Sequence, residues 1–154
     1  KELYEKAAER GVGKAMFRLG YIMGSKDSPI QDYKKAMEWY LKSLDYNQTA
    51  ALNNIGVLYA NGRGVTENKR TAMEWYLKAA EAKDLIAMSN IAYFYHNGEL
   101  GTVDYTKAFE WWQKAAEAGH VPSMKKLAEI YEVGRGVKKS KKLAELWTEK
   151  ANKG

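Results

Sequence analysis

The chain has 154 residues, of which 45% are apolar and 29% charged, a composition typical of a globular domain. It has no cysteine, which excludes disulfides, thiolate metal ligands and cysteine nucleophiles, and no run of about 18 apolar residues that would span a bilayer. The net charge of +6 is moderate and permits attraction to acidic groups.

The first ten residues match the second half of a repeating unit rather than its start. Leu3 and Tyr4 lie 36 positions before Trp39 and Tyr40, and the surrounding residues align in the same way. We therefore expect residues 1–11 to form the second helix of a truncated repeat, in a chain cut from a longer protein.

A 36-residue period continues to the end of the chain without an insertion. It is clearest in four alanine–tryptophan pairs: Ala36 and Trp39, Ala72 and Trp75, Ala108 and Trp111, and Ala144 and Trp147. A fixed period between about 20 and 50 residues is typical of stacked helical arrays. The predicted repeats are residues 12–47, 48–83, 84–119 and 120–154.

The first helix of each repeat is predicted from apolar residues spaced three and four apart, the period of an amphipathic helix and not of a strand. The apolar arc is wide enough to contact neighbours on two sides. One column is small in every repeat: Gly20, Gly56, Ala92 and Ala128. We expect another helix to approach closely there, because a larger side chain would overpack the contact.

The second helix of each repeat has its alanine and tryptophan on one apolar stripe. Residues suited to N-capping precede it at Asp32, Asn68, Asp104 and Ser140. Glu–Lys pairs at i, i+4 spacing indicate a face in water: Glu38 with Lys42, Glu74 with Lys78, and Glu110 with Lys114. Glycine-containing turns follow the first helices, as in Gly62-Arg63-Gly64 and Gly134-Arg135-Gly136.

Together these patterns predict an all-α fold. The expected architecture is a right-handed α-solenoid of helix–turn–helix repeats, with one leading helix followed by four helix pairs, forming a single domain over residues 1–154. We expect the repeat tryptophans to be buried between consecutive helix pairs.

The spacing of these residues resembles the Sel-one-like repeat (SLR), a relative of the tetratricopeptide repeat. The second repeat matches that pattern from Ala51-Leu52 through Gly56, Tyr59, Gly62, Gly64-Val65, Ala72, Trp75-Tyr76 and Lys78-Ala79-Ala80. The resemblance covers the whole chain and implies an adaptor that scaffolds protein complexes and has no chemistry of its own. The last repeat departs from the pattern at Glu145, Leu146 and Thr148, as expected for a capped end.

The residues give little support to a catalytic or metal site. His96 and His120 occupy different positions of the repeat, and there is no cysteine to join them as a ligand. The Gly-Arg-Gly turns follow helices and lack the Gly-Lys-Ser/Thr ending of a phosphate loop. We predict no enzymatic activity, no cofactor and no metal.

A partner is expected on the concave surface, which the first helices line in tetratricopeptide-like arrays. The predicted contact residues are Arg18, Tyr21, Asn53, Asn54, Val57, Asn90, Tyr93, Lys126 and Glu129. Four of them form a predicted central polar track: Arg18, Asn54, Asn90 and Lys126. Asparagine amides bind peptide groups and Arg or Lys binds carboxylates, so we predict another protein or an extended peptide with acidic groups as the partner.

Two other partners stay open on the sequence alone. The first alternative is an inhibitory or immunity-type complex, in which the array would bind a folded enzyme through exposed aromatic residues. A pentatricopeptide-like array binds single-stranded RNA, which the charge fits loosely but the Trp-Tyr and Gly-x-Gly-Val positions do not favour. Apolar stripes exposed at the array ends would also permit homo-oligomers.

Overall fold

The computed structural model describes residues 1–154 and contains nine α-helices and no strands. In chain order they are α1 (Glu2–Glu9), α2 (Gly13–Gly24), α3 (Tyr33–Leu44), α4 (Ala50–Asn61), α5 (Lys69–Glu81), α6 (Leu85–Asn97), α7 (Tyr105–Glu117), α8 (Val121–Val133) and α9 (Lys141–Lys153). The predicted all-α repeat solenoid, with one leading helix and four pairs, is confirmed. None of these helices combines the length and the apolar character needed to cross a membrane.

The chain divides into two compact units, Lys1–Ala82 and Lys83–Gly154. Unit 1 contains α1 to α5, and its buried core includes Leu19 and Ile55. Unit 2 contains α6 to α9, and its core is built around Trp112 and Leu127. Within each unit, helices that follow one another in the chain pack together. The boundaries of the individual repeats stay a prediction.

Each second helix begins at its predicted capping residue. The side chains of Asp32, Asn68, Asp104 and Ser140 accept the backbone N–H three residues later at 3.1, 3.0, 2.9 and 3.3 Å. An additional cap at Asp84 accepts the N–H of Ala87 at 2.9 Å at the start of α6. Three first helices end at a glycine in the left-handed conformation, namely Gly62, Gly98 and Gly134. The N-caps and the terminal glycines both depend on local chemistry, so the sequence predicts most of these helix ends correctly.

In unit 1 the glycines of the small column accommodate a tyrosine ring from the paired second helix. A Cβ atom on Gly20 would lie 2.6 Å from Cδ1 of Tyr40, and a Cβ atom on Gly56 would lie 2.6 Å from Cε1 of Tyr76. Both distances are shorter than a carbon–carbon contact allows. The predicted close approach is therefore confirmed in this unit.

Three of the four repeat tryptophans are less buried than predicted, and only Trp147 belongs to the buried core. Trp39, Trp75 and Trp111 are half-buried, and Trp147 is 8% exposed. The most buried ring of each of the first three second helices lies one position later, at Tyr40, Tyr76 and Trp112, which are 4%, 3% and 0% exposed. The later residue packs on the paired first helix, which leaves the tryptophan at the edge of that contact.

The predicted Glu–Lys pairs on the second helices do not form, because each lysine lies over a tryptophan. The Nζ atoms of Lys42, Lys78, Lys114 and Lys150 lie 4.9, 4.6, 4.4 and 4.4 Å from the ring centroids of Trp39, Trp75, Trp111 and Trp147. The ring quadrupole attracts the ammonium group, and the methylene stem covers apolar surface. A lysine one turn later thus shields the part of each indole that neighbouring helices leave uncovered.

Candidate functional site

The predicted contact residues differ in how accessible they are. Arg18, Tyr21, Tyr93 and Glu129 are exposed, and Asn54, Val57, Asn90 and Lys126 are half-buried. Asn53 is only 6% exposed, which contradicts its expected place on the accessible surface, and its role as a contact residue stays a prediction. It lies on the side of α4 that also buries Gly56 and Ala60, because α4 packs against both α3 and α5. The burial of this side depends on two neighbouring helices, which the period of one helix does not reveal.

Three of the predicted residues line a pocket in unit 1. Tyr21 comes from α2, and Asn54 and Val57 come from α4. The pocket has a volume of about 160 Å³, and its lining also includes Tyr40, Arg63, Gly24, Ser25 and Leu58. We call it the Arg63 pocket.

Tyr40 reaches the Arg63 pocket because α2 presents glycine to it. Its ring lies against Gly20, and a Cβ on Gly24 would lie 3.4 Å from its hydroxyl oxygen. Burial raises the pKa of Tyr40 to about 12, although the Asn54 side chain acts on this pKa in the opposite direction. The hydroxyl group is therefore neutral at physiological pH and keeps its proton for donation.

Arg63 is held in place by the turn that follows α4. Gly62 ends the helix at a φ of 61°, and a Cβ on Gly64 would lie 2.6 Å from the backbone carbon of Tyr33, so this turn sits directly on the start of α3. The Arg63 Cζ atom lies 5.6 Å from the centroid of the Tyr33 ring. Arg63 forms no ion pair with a carboxylate, which leaves the donors of its guanidinium group for another acceptor.

Unit 2 contains a pocket at equivalent repeat positions, two periods further along the chain. It has a volume of about 200 Å³ and is lined by the predicted residues Lys126 and Glu129 together with His96 and Arg135. In the 36-residue register Lys126 corresponds to Asn54, and Arg135 corresponds to Arg63. We call it the Arg135 pocket.

Aromatic rings lie next to the Arg135 pocket. Trp112 meets the ring of Tyr93 edge-on at 5.0 Å between centroids and that of His96 at 5.4 Å. The Nζ atom of Lys126 lies 5.9 Å from the Tyr93 ring and 5.8 Å from the Trp112 ring. Trp112 Nε1 is buried without a hydrogen-bond partner. Trp112 occupies the repeat position of Tyr40, so an indole replaces the phenol of unit 1.

The charges in the Arg135 pocket are partly paired. Lys126 Nζ lies 2.6 Å from Glu129 Oε2. Arg135 repeats the arrangement of Arg63, because its Cζ lies 5.2 Å from the Tyr105 ring and a Cβ on Gly136 would lie 2.5 Å from the Tyr105 carbonyl oxygen. Arg135 forms no ion pair with a carboxylate.

Neither Arg63 nor Arg135 is among the contact residues predicted from the sequence. Their Gly-Arg-Gly turns indicate helix ends, although the two arginines also recur two periods apart. Tyr33 and Tyr105 recur with the same separation at the starts of α3 and α7. That shared spacing was the available signal. Of the other predicted residues, Arg18 and Asn90 line neither of these two pockets, and the predicted polar track stays a prediction.

Comparison with known proteins identifies relatives of similar fold and sequence. A Sel1 repeat protein from Oxalobacter formigenes is 32% identical with a TM-score of 0.86, over 99% of this chain and 62% of that one. The protective antigen c5321 of uropathogenic Escherichia coli, which displays an SLR fold, is 31% identical with a TM-score of 0.86, over 99% of this chain and 32% of that one.

A plant protein matches part of the sequence. The ERAD-associated E3 ubiquitin-protein ligase component HRD3A of Arabidopsis thaliana is 31% identical over 65 residues, which are 41% of this chain and 9% of the plant protein. The chain therefore spans less than two thirds of each of these three relatives.

The family model of the Sel1 repeat matches five consecutive segments, which are residues 1–12, 13–45, 49–84, 85–120 and 121–154. These segments include almost every residue and confirm the resemblance inferred from the repeat pattern. The chain belongs to the Sel1 repeat family.

Proposed function

We propose that this protein is a non-enzymatic interaction scaffold that binds a segment of another polypeptide along its first helices. The recurrence of one pocket design in both units, at the Arg63 and Arg135 pockets, is the observation that supports this function best. Sel1 repeats typically bind proteins, and one relative is by its name a component of a ubiquitin-ligase assembly.

The size of the pockets favours side chains over small-molecule ligands. Volumes of about 160 and 200 Å³ are below the roughly 300 to 1,000 Å³ typical of small-molecule sites. Each pocket would accept one or two side chains of an extended segment. The Asn54 amide and the exposed ring of Tyr21 would contact the peptide groups on either side.

A peptide-display selection tests this function. We expect immobilised protein to enrich random ten-residue peptides relative to a blank surface. Tyr21→Ala should lower the affinity for the enriched peptides at least about fivefold, which corresponds to an interface residue that contributes more than about 1 kcal/mol. Tyr21 is 55% exposed, so its truncation should leave the fold intact.

Tyr4→Ala is the matched control, because Tyr4 is also an exposed tyrosine of unit 1, at 40%, and lies on α1 outside the Arg63 pocket. We expect it to leave peptide affinity unchanged. Equal weakening by both substitutions would contradict binding at the Arg63 pocket. A selection that enriches no peptide would contradict segment binding altogether and would favour a folded partner, such as the enzyme of an immunity-type complex.

A further inference from the structure

We propose that the Arg63 pocket accepts an acidic side chain of the bound polypeptide and that Arg63 is the residue that selects it. This inference rests on the proposed function, because the ligand is a residue of the bound segment. It adds a chemical preference and assigns that preference to one of the two pockets.

The first support is the state of the Arg63 guanidinium group. Its position is fixed by the Tyr33 ring and by the close contact of Gly64 with the start of α3. No carboxylate of the chain is paired with it, and Glu67, in the same connection, lies 4.0 Å from Lys69 instead. A positioned guanidinium with free donors matches the two oxygens of a carboxylate, and ordering it in advance lowers the cost of binding.

The second support is the rest of the pocket lining. Asn54 contributes an amide and Tyr40 a neutral hydroxyl, both of which can donate hydrogen bonds to a carboxylate. The remaining lining, which includes Val57, contains no acidic side chain, so Arg63 gives the pocket an uncompensated positive charge. A bound carboxylate would displace water from the pocket, which lowers the local dielectric constant and strengthens its attraction to Arg63.

The Arg135 pocket shows by contrast what the preference depends on. Its arginine has the same aromatic support, but Glu129 stands in the position of Val57 and Lys126 in that of Asn54. The Glu129 carboxylate already accepts from Lys126 at 2.6 Å and would repel an incoming acid. We therefore assign the acidic residue of the ligand to unit 1 and a weaker charge preference to unit 2.

The experiment uses pairs of synthetic peptides derived from the selection. Each enriched peptide is made again with its Glu replaced by Gln or its Asp by Asn, and both members are titrated against the full chain by fluorescence anisotropy in about 0.15 M salt. Wild type should bind at least one acidic peptide about tenfold more tightly than its amide form, as expected for a lost charge-assisted hydrogen bond. Arg63→Ala should bind both forms with equal affinity, which closes a double-mutant cycle.

Arg70→Ala is the control, because it removes the same charge from an exposed residue of α5 in unit 1, outside the pocket and outside the predicted contact residues. It should keep the tenfold preference. Arg63→Gln keeps most of the side-chain stem and serves as a second variant if truncation unfolds the turn, and it should also abolish the preference. A preference that survives both Arg63 substitutions, or peptides that bind equally well in acid and amide forms, would overturn the inference and leave the proposed function intact. A selection that enriches no peptide would instead overturn the proposed function.

Discussion

The second helix of each pair places a lysine over the tryptophan three residues earlier, and at Lys42, Lys78 and Lys114 this contact replaces the ion pair expected from the sequence. The arrangement recurs in all four second helices with distances between 4.4 and 4.9 Å. A salt bridge between exposed side chains contributes little, whereas an ammonium over an indole also covers apolar surface. The half-buried ring therefore determines the position of the lysine, and the glutamate stays in solvent.

Substitution on α5 tests this contact. Lys78→Ala should lower the free energy of unfolding by about 0.5 to 1 kcal/mol, the value typical of an exposed cation–π contact. Glu74→Ala, four residues earlier on the same helix, should change it by less than about 0.5 kcal/mol. Urea denaturation followed by circular dichroism measures both changes. If the two substitutions had the same effect, the lysine would not be stabilised by the ring.

At the scale of the helix, the pairing of α2 with α3 depends on a glycine that admits a ring. Gly20 costs the helix about 0.5 to 1 kcal/mol relative to alanine, so the tight contact with Tyr40 must offset that loss. The ring is buried, and it also lines the Arg63 pocket. The absence of a side chain at Gly20 therefore permits both the contact between α2 and α3 and the position of Tyr40 in the Arg63 pocket.

Alanine scanning of two glycines on α2 tests this arrangement. Gly20→Ala should destabilise the protein by about 1 to 3 kcal/mol, because the new Cβ would lie 2.6 Å from Tyr40 Cδ1. Gly24→Ala should be neutral or slightly stabilising, since its Cβ would meet neighbouring atoms at 3.4 Å or more. Thermal unfolding compares the two variants. Equal stability would show that the ring moves aside without cost.

The helix ends illustrate which elements a sequence predicts well. Asp32 and Gly62 act within about one turn of their own position, so the residue type alone indicates the helix boundary. The accessible side of a first helix is harder to predict, as Asn53 shows. Its burial depends on the helices packed on either side of α4, and no residue within α4 specifies them.

For the molecule as a whole, the division into two units predicts how fragments behave. Fragments 1–82 and 83–154 each contain a complete apolar core, so each should show a helical circular dichroism spectrum and a cooperative urea transition. Fragment 48–119 has the same length as fragment 83–154 but takes two helices from each unit. It should be less helical and unfold over a broader range. Equal cooperativity in these two fragments, or a disordered spectrum for either unit, would contradict the division.

The sequence by itself determined the period, the nine helices, the helix caps and the family, because these depend on local residue chemistry repeated in fixed register. Only the tertiary structure decided that Tyr40 and Trp112 are the deeply buried rings, that the lysines cover the tryptophans, and that Arg63 and Arg135 line two equivalent pockets. The physical reason is distance along the chain. Arg63 lies against the ring of Tyr33, thirty positions earlier, and lines one pocket with residues of α2. Such an arrangement exists only after the helices have packed.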